Sequence, residues 1–260
     1  MNTTVSRRSR RQQTKLWRVP VLRVARLTPH MTRVTVGGPD LADFAYAGTD
    51  QNVMLYFYPD DVELPEPLTL EAARGMWSQV RPLTRTYTVS RYDRDTCEID
   101  FDFVLHDDAG PASDWAKRAE PGDLLIFVGP SPAYQPDPMA DWHLLAGDET
   151  ALPAIAAVLR ELRSGVPAHV FVEVEDAAEE QPLVSDADVT ITWLHRDGTD
   201  DLLARAVAAA ELPQEGRVDA WLAGERAAMV ALRAHLLNDR GYERSRVRPT
   251  TYWRRGETGN

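Results

Sequence analysis

A change of hydrophobic period near residue 129 constrains this chain more than any other feature. Gly129-Pro130-Ser131-Pro132, followed by Pro136 and Pro138, separates two grammars. Before it, β-like runs at 17–28, 31–38, 50–59, 83–92, 97–106 and 124–129 are broken by turn residues such as Gly37-Gly38-Pro39-Asp40. In 97–106, Cys97, Ile99, Phe101, Phe103 and Leu105 alternate with Glu98, Asp100, Asp102, Val104 and His106. That is the period of a half-buried strand. Residues 60–80 read as a loop with a short helix around 70–77, and a helix is expected over 112–119. Several short strands with one capping helix predict a small antiparallel β-barrel over 17–130.

After the boundary, strands at 142–146, 168–174, 189–194, 218–223 and 247–253 are interleaved with helices at 150–163, 200–210 and 225–239. Apolar strands between amphipathic helices predict a doubly wound, mostly parallel α/β domain over 140–260. The acidic run 173–180 reads as a solvated loop.

Charge is uneven. The whole chain carries −11, but its first eighteen residues hold six basic side chains (Arg7, Arg8, Arg10, Arg11, Lys15, Arg18) and no acid. The remainder has 23 basic and 40 acidic residues, or −17. Residues 1–16 therefore read as a basic, disordered arm, and the acidic body disfavours nucleic acid. No run of about eighteen apolar residues exists to insert in a membrane, and no apolar leader opens the chain. The lone Cys97 excludes an internal disulfide and a cysteine metal cluster, so a cytoplasmic, reducing setting is expected.

Two short segments carry chemistry. Arg85-Thr86-Tyr87-Thr88, with Arg91 beyond it, offers a cation, an aromatic ring and a hydroxyl from one extended piece of backbone. Gly110-Pro111-Ala112-Ser113 reads as a turn opening a helix, whose free N–H groups favour phosphate; Ser113 is also a candidate N-cap. Together they suit FAD: a flat partner for the ring system, a donor near its edge, and positive charge for the pyrophosphate. Downstream, Gly147-Asp148-Glu149-Thr150 ends a strand and opens a helix, the place where an open α/β sheet binds a dinucleotide. Ala223-Gly224-Glu225 ends the next suitable strand, and Arg196 follows another.

These segments, in this order, resemble the siderophore-interacting proteins, FAD-dependent ferric-siderophore reductases of the ferredoxin-reductase superfamily. The resemblance runs from about Trp17 to Gly256. It rests on the stretches 31–36, 85–91, 102–106, 110–116, 121–123, 147–155, 193–196, 223–225 and 252–256. Ser90 stands where the family often has a basic residue, and Thr251 where it usually has glycine.

The resemblance implies electron transfer from NADPH or NADH through FAD to a ferric siderophore, releasing Fe(II). It implies flavin contacts from Arg85, Tyr87, Thr88, Arg91, Asp102, Val104 and His106, and a pyrophosphate cradle at Gly110, Pro111, Ala112 and Ser113. It places Asp148, Thr150, Gly224 and Glu225 in the nicotinamide cleft. Arg196 is either the partner of a ribose 2′-phosphate or an ordinary surface arginine. Trp253 and Arg254 are implied at the siderophore, with Arg246, Arg248 and Arg255 as further cations. No protein residue is expected to ligate iron or act as a catalytic acid. Two other readings stay open: a general flavin or ferredoxin-linked reductase, with ferredoxin as partner, and a non-catalytic siderophore-binding module.

Overall fold

In the computed structural model, which describes residues 14–106, 110–131 and 134–257, the chain forms two sheets. The first holds β1 (Lys15–Thr28), β2 (Met31–Gly37), β3 (Asn52–Phe57), β4 (Leu83–Thr88), β5 (Arg91–Asp93), β6 (Glu98–Val104) and β7 (Leu124–Gly129). Its order is β4-β3-β7-β1-β2-β6-β5, antiparallel throughout. The expected arm ends too late, because Lys15 and Leu16 already pair with Gly129 and Val128. Residues 1–13 lie outside the described residues.

The expected strand 83–92 is two strands. The Val89 N–H donates to Gln51 O at 2.8 Å, extending the β3–β4 ladder. The next N–H, of Ser90, donates to Asp100 O at 3.0 Å, opening the β5–β6 ladder. One peptide thus joins the two edges of the sheet and closes the barrel. Inside lie Val19, Val34, Leu55, Ile99, Phe101, Phe103 and Phe127, all at most 1% exposed. Helix α2 (Pro111–Arg118) plugs one end with Ala112 and Ala116. The 58–80 excursion, with α1 (Leu70–Gly75), covers an outer face through Leu64, Leu68 and Trp77.

The second sheet holds β8 (Trp142–Asp148), β9 (Pro167–Val174), β10 (Asp188–His195), β11 (Val218–Glu225) and β12 (Val247–Trp253), all parallel, in the order β10-β9-β8-β11-β12. Side chains alternate between its faces. Leu145, Val170, Val172 and Trp221 pack with α3 (Leu152–Glu161), while Leu144, Ala146, Phe171 and Leu222 pack with α4 (Leu202–Ala209) and α5 (Arg226–Ala234). The strand order reverses between β8 and β11, which defines a switch point at their carboxyl ends.

The two domains share a core. Met31 and Val104 of the barrel join the α3 cluster. The run 173–180 is a solvated loop only in part, with 175–178 and Glu180 exposed. Glu173 belongs to β9, and Glu179, 4% exposed, accepts the Thr28 hydroxyl at 2.5 Å and the His30 N–H at 2.9 Å. A buried carboxylate with such donors docks the β9–β10 crossover onto the barrel.

Candidate functional site

The switch point is built around Asp148, the last residue of β8. Its Oδ1 accepts the N–H of Thr150 at 2.9 Å and the Thr150 hydroxyl. Its Oδ2 accepts the Glu225 N–H at 3.1 Å and the Trp253 indole N–H at 2.7 Å. One carboxylate therefore ties the carboxyl ends of β8, β11 and β12 together. Glycines permit this approach. A Cβ on Gly147 would stand 2.4 Å from Ala223 O, and one on Gly224 would stand 2.6 Å from Asp148 Oδ2. Gly224 also has φ +148°, where other residues are strained.

In this arrangement the acceptor positions of Asp148 are filled from within the protein. Thr150 has its hydroxyl proton committed to Asp148. Glu225 is the N-cap of α5: its Oε2 accepts the Ala227 and Ala228 N–H groups. Glu149 pairs with Arg196, and burial, then the Asp148 charge, raises its carboxyl above the ordinary range. Arg196 does not stand free for a phosphate. Nη2 meets Glu149 at 2.5 Å, Nε meets Glu173 at 3.3 Å, and Nη1 meets Glu175 at 3.2 Å.

The barrel reaches this site through its seam. β12 advances two residues, Thr251 to Trp253, while β11 advances one, Gly224 to Glu225. The extra residue is Tyr252, and such a bulge re-aims a side chain. Its hydroxyl donates to Asp50 and lies 3.5 Å from Thr88 Oγ1. Trp221 Nε1 also donates to Asp50, at 3.2 Å. Burial raises both the Asp50 carboxyl and the Tyr252 phenol. Sequence reading missed Asp50 and Tyr252 as a pair, since 202 residues separate them. Thr251 sits opposite Gly224 and is exposed.

Arg85 and Tyr87 lie on β4 opposite Leu55 and Val53, on the face turned to the barrel core. The Tyr87 ring packs 4.4 Å from Phe103, which touches Trp115 of α2 at 5.5 Å. Burial pushes the Tyr87 phenol up. Arg85 Nη1 donates to Thr84 O at 2.7 Å. Arg91 belongs to β5 and pairs with Asp93 and, at 3.6 Å, with Asp100. Asp102 is held by Arg33 in a two-pronged pair at 2.7 and 2.8 Å, and Val104 is buried in the shared core. Neither is open to a flavin in this arrangement. At the Ser90 position the nearby cation comes from α3 instead: Arg160 Nη2 donates to Ser90 O at 2.7 Å.

The residues that remain fit an FAD. Gly110, not Ser113, is the N-cap of α2, and among the described residues no side chain caps the turn. A Cβ on Gly110 would meet nothing within 4 Å among the described residues. The first-turn N–H groups of Ala112 and Ser113 have no intrahelical acceptor and face an anion favourably. Ser113 Oγ instead accepts the His106 N–H at 3.0 Å, fixing the approach to that turn.

The C-terminal arginines separate into two sets. Arg246 and Arg248 lie at the start of β12 and pair with Asp137 and Asp219. A seven-residue strand spans roughly 20 Å, so they are not beside the switch point, as the sequence reading had allowed. Arg254 and Arg255 follow the end of β12 and, with Arg226, Glu225, Glu257 and Val230, line a groove of about 460 Å³. Arg254 pairs with Glu257 at 3.3 Å, and Arg255 with Asp200.

An antiparallel barrel joined at its seam to the switch point of a parallel sheet defines the flavin- and nicotinamide-binding reductase fold. Residues 20–134 match the siderophore-interacting FAD-binding domain, and residues 140–256 match the siderophore-interacting protein family. The chain belongs to that family. It is 32% identical to the ferric vibriobactin reductase of Vibrio cholerae, covering 89% of this chain and 86% of the relative. It is 30% identical to the NADPH-dependent ferric-chelate reductase of Escherichia coli, covering 90% and 91%. Among solved structures it resembles a siderophore utilization protein from T. fusca, at 37% identity, TM-score 0.81, and coverage of 95% and 96%.

Among the described residues no group of three or more His, Cys, Asp or Glu is gathered to hold a metal ion. No described helix is long and apolar enough to cross a membrane.

Proposed function

We propose that this protein is an oxidoreductase that takes electrons from a reduced nicotinamide dinucleotide and delivers them, through FAD, to a ferric siderophore. The observation that carries the reading is the contact of the barrel seam with the switch point, where Thr88 meets Tyr252 and Asp148 gathers three strand ends. FAD supplies the conversion of a two-electron hydride donor into single electrons for Fe(III). The protein's own residues bind and position. Arg85 and the α2 first turn hold the pyrophosphate, and Tyr87 and Thr88 flank the ring system. Thr150 and Gly224 border the donor's entry.

A ferric siderophore is often anionic, because hard oxygen donors suit Fe(III). Trp253 and Arg254 receive it, with Arg226 and Arg255 nearby in a groove that also holds Glu225 and Glu257. The product Fe(II) is bound weakly by such donors and leaves. The relatives named above carry iron chelates in their names, and nothing in those names supports a ferredoxin as partner.

Purified protein should be yellow with non-covalent FAD that nicotinamide dinucleotide bleaches anaerobically. A ferric siderophore should then restore the colour, with Fe(II) trapped by a chromogenic chelator. Bleaching without iron release would favour a general electron-transfer reductase, and absence of flavin after refolding with excess FAD would overturn the reading altogether.

A further inference from the structure

Arg196 stands at the carboxyl end of β10, two strands away from β8 on the side opposite β11. Neighbouring strands lie about 4.8 Å apart. With its nicotinamide at the β8–β11 switch point, a dinucleotide that runs toward β9 places its adenosine over the ends of β9 and β10. In open α/β sheets an acid there accepts the ribose 2′-hydroxyl, or an arginine receives a 2′-phosphate. This chain has both, and they are bound to each other. Each of the three guanidinium nitrogens has its own carboxylate: Glu149 from the turn after β8, Glu173 from within β9, and Glu175 just after β9. Formally the cluster carries one positive and three negative charges.

We infer that this cluster selects NADH over NADPH, with Arg196 held as the counter-charge of three glutamates rather than as a phosphate receptor. The inference rests on the donor role proposed above. A 2′-phosphate could reach Arg196 only by displacing its carboxylates. Glu149 and Glu173 expose only 15% and 18% of their side chains. They would be left half-buried, unpaired and beside a dianion, which is costly on every count. A ribose with free hydroxyls asks for none of this. Glu175 exposes 57% of its side chain and can accept a hydroxyl while Arg196 stays in place. The net acidity of the pocket then works against the phosphorylated donor.

The test uses the FAD-loaded full chain. Calorimetric titration compares ADP-ribose with its 2′-phosphorylated form, and stopped-flow compares flavin bleaching by NADH and NADPH. The unphosphorylated member of each pair should be favoured at least tenfold. The double variant E173Q/E175Q should narrow that ratio at least tenfold, by strengthening 2′-phosphate binding. Equal or tighter binding of the 2′-phosphorylated fragment by the parent protein would overturn the inference, even if the variants do not fold. If neither fragment binds and neither nucleotide bleaches the flavin, the donor role itself falls. A preference for NADPH with rapid bleaching defeats the selection alone.

Discussion

The carboxylate of Asp148 accepts the indole N–H of Trp253 at 2.7 Å, and through that bond the last strand of the sheet is fixed to the first. The same carboxylate takes donors from Thr150 and Glu225, so no single bond of the four can be judged alone.

Asp148→Asn should therefore destabilise the protein strongly while barely changing its volume. One oxygen becomes an NH2 group facing N–H donors, and a buried donor left unpaired costs about 1–3 kcal/mol. Two such losses correspond to a melting temperature lower by roughly 5 °C or more. Near-UV circular dichroism should show the change together with a disturbed Trp253 environment. A melting temperature within a degree of the parent would show that the four bonds contribute little.

Arg85→Ala should weaken FAD binding more than it slows the FAD-saturated protein. A hydrogen bond to a charged group is worth about 1.5–3 kcal/mol, or roughly 10- to 150-fold in affinity. Quenching of flavin fluorescence on titration measures it. Unchanged affinity would assign Arg85 to the barrel mouth alone, through its bond to Thr84 O.

Arg254→Ala should raise KM for an anionic ferric siderophore and leave flavin bleaching by nicotinamide nearly unchanged. The side chain is 46% exposed and shares its charge with Glu257, so the effect should be modest and salt-sensitive. Uniform binding lost in this way appears in KM rather than kcat. Steady-state rates at two ionic strengths decide the point. With Arg246 and Arg248 already paired at the far end of β12, a null result would direct attention to Arg255 and Arg226.

Acid stability should depend on Asp137. The Met139 N–H, then Arg217 and Arg246, hold its carboxyl at about 2 against an ordinary 3.8, despite a desolvation cost. A carboxyl depressed in the folded state stabilises above its unfolded value, and that stability is lost as pH falls through the folded value. The window is therefore from about pH 4 down to about pH 2. Urea midpoints measured across it should fall less steeply for Asp137→Asn than for the parent. Parallel curves would show that Asp137 has no part in the acid transition.

Much of the architecture was written in local pattern. The period-2 alternation at 97–106 recurs in β6, and the alternating apolar strands beyond 140 are the parallel sheet. Motif spacing pointed to Thr88, the α2 turn and the ends of β8 and β11. What local pattern could not carry was pairing over distance. Nothing near Glu179 signals that its donors are 149 and 151 residues away, and nothing near Arg196 announces Glu149, Glu173 and Glu175. The break at Val89 was hidden for the opposite reason. The segment is extended on both sides, and only the change of hydrogen-bonding partner marks it.

That break has a consequence for what evolution or an engineer can change. Val89 and Ser90 bond to opposite edges of one sheet, so the joint between β4 and β5 has no slack. Surface connections usually accept extra residues at small entropic cost. Here one inserted residue would invert every side chain on one side of the joint, because facing alternates with a period of two. Either Tyr87 would leave the core for solvent or the pairing of Arg91 with Asp100 would be lost. The length of this joint is fixed by its bonds to both edges of the sheet.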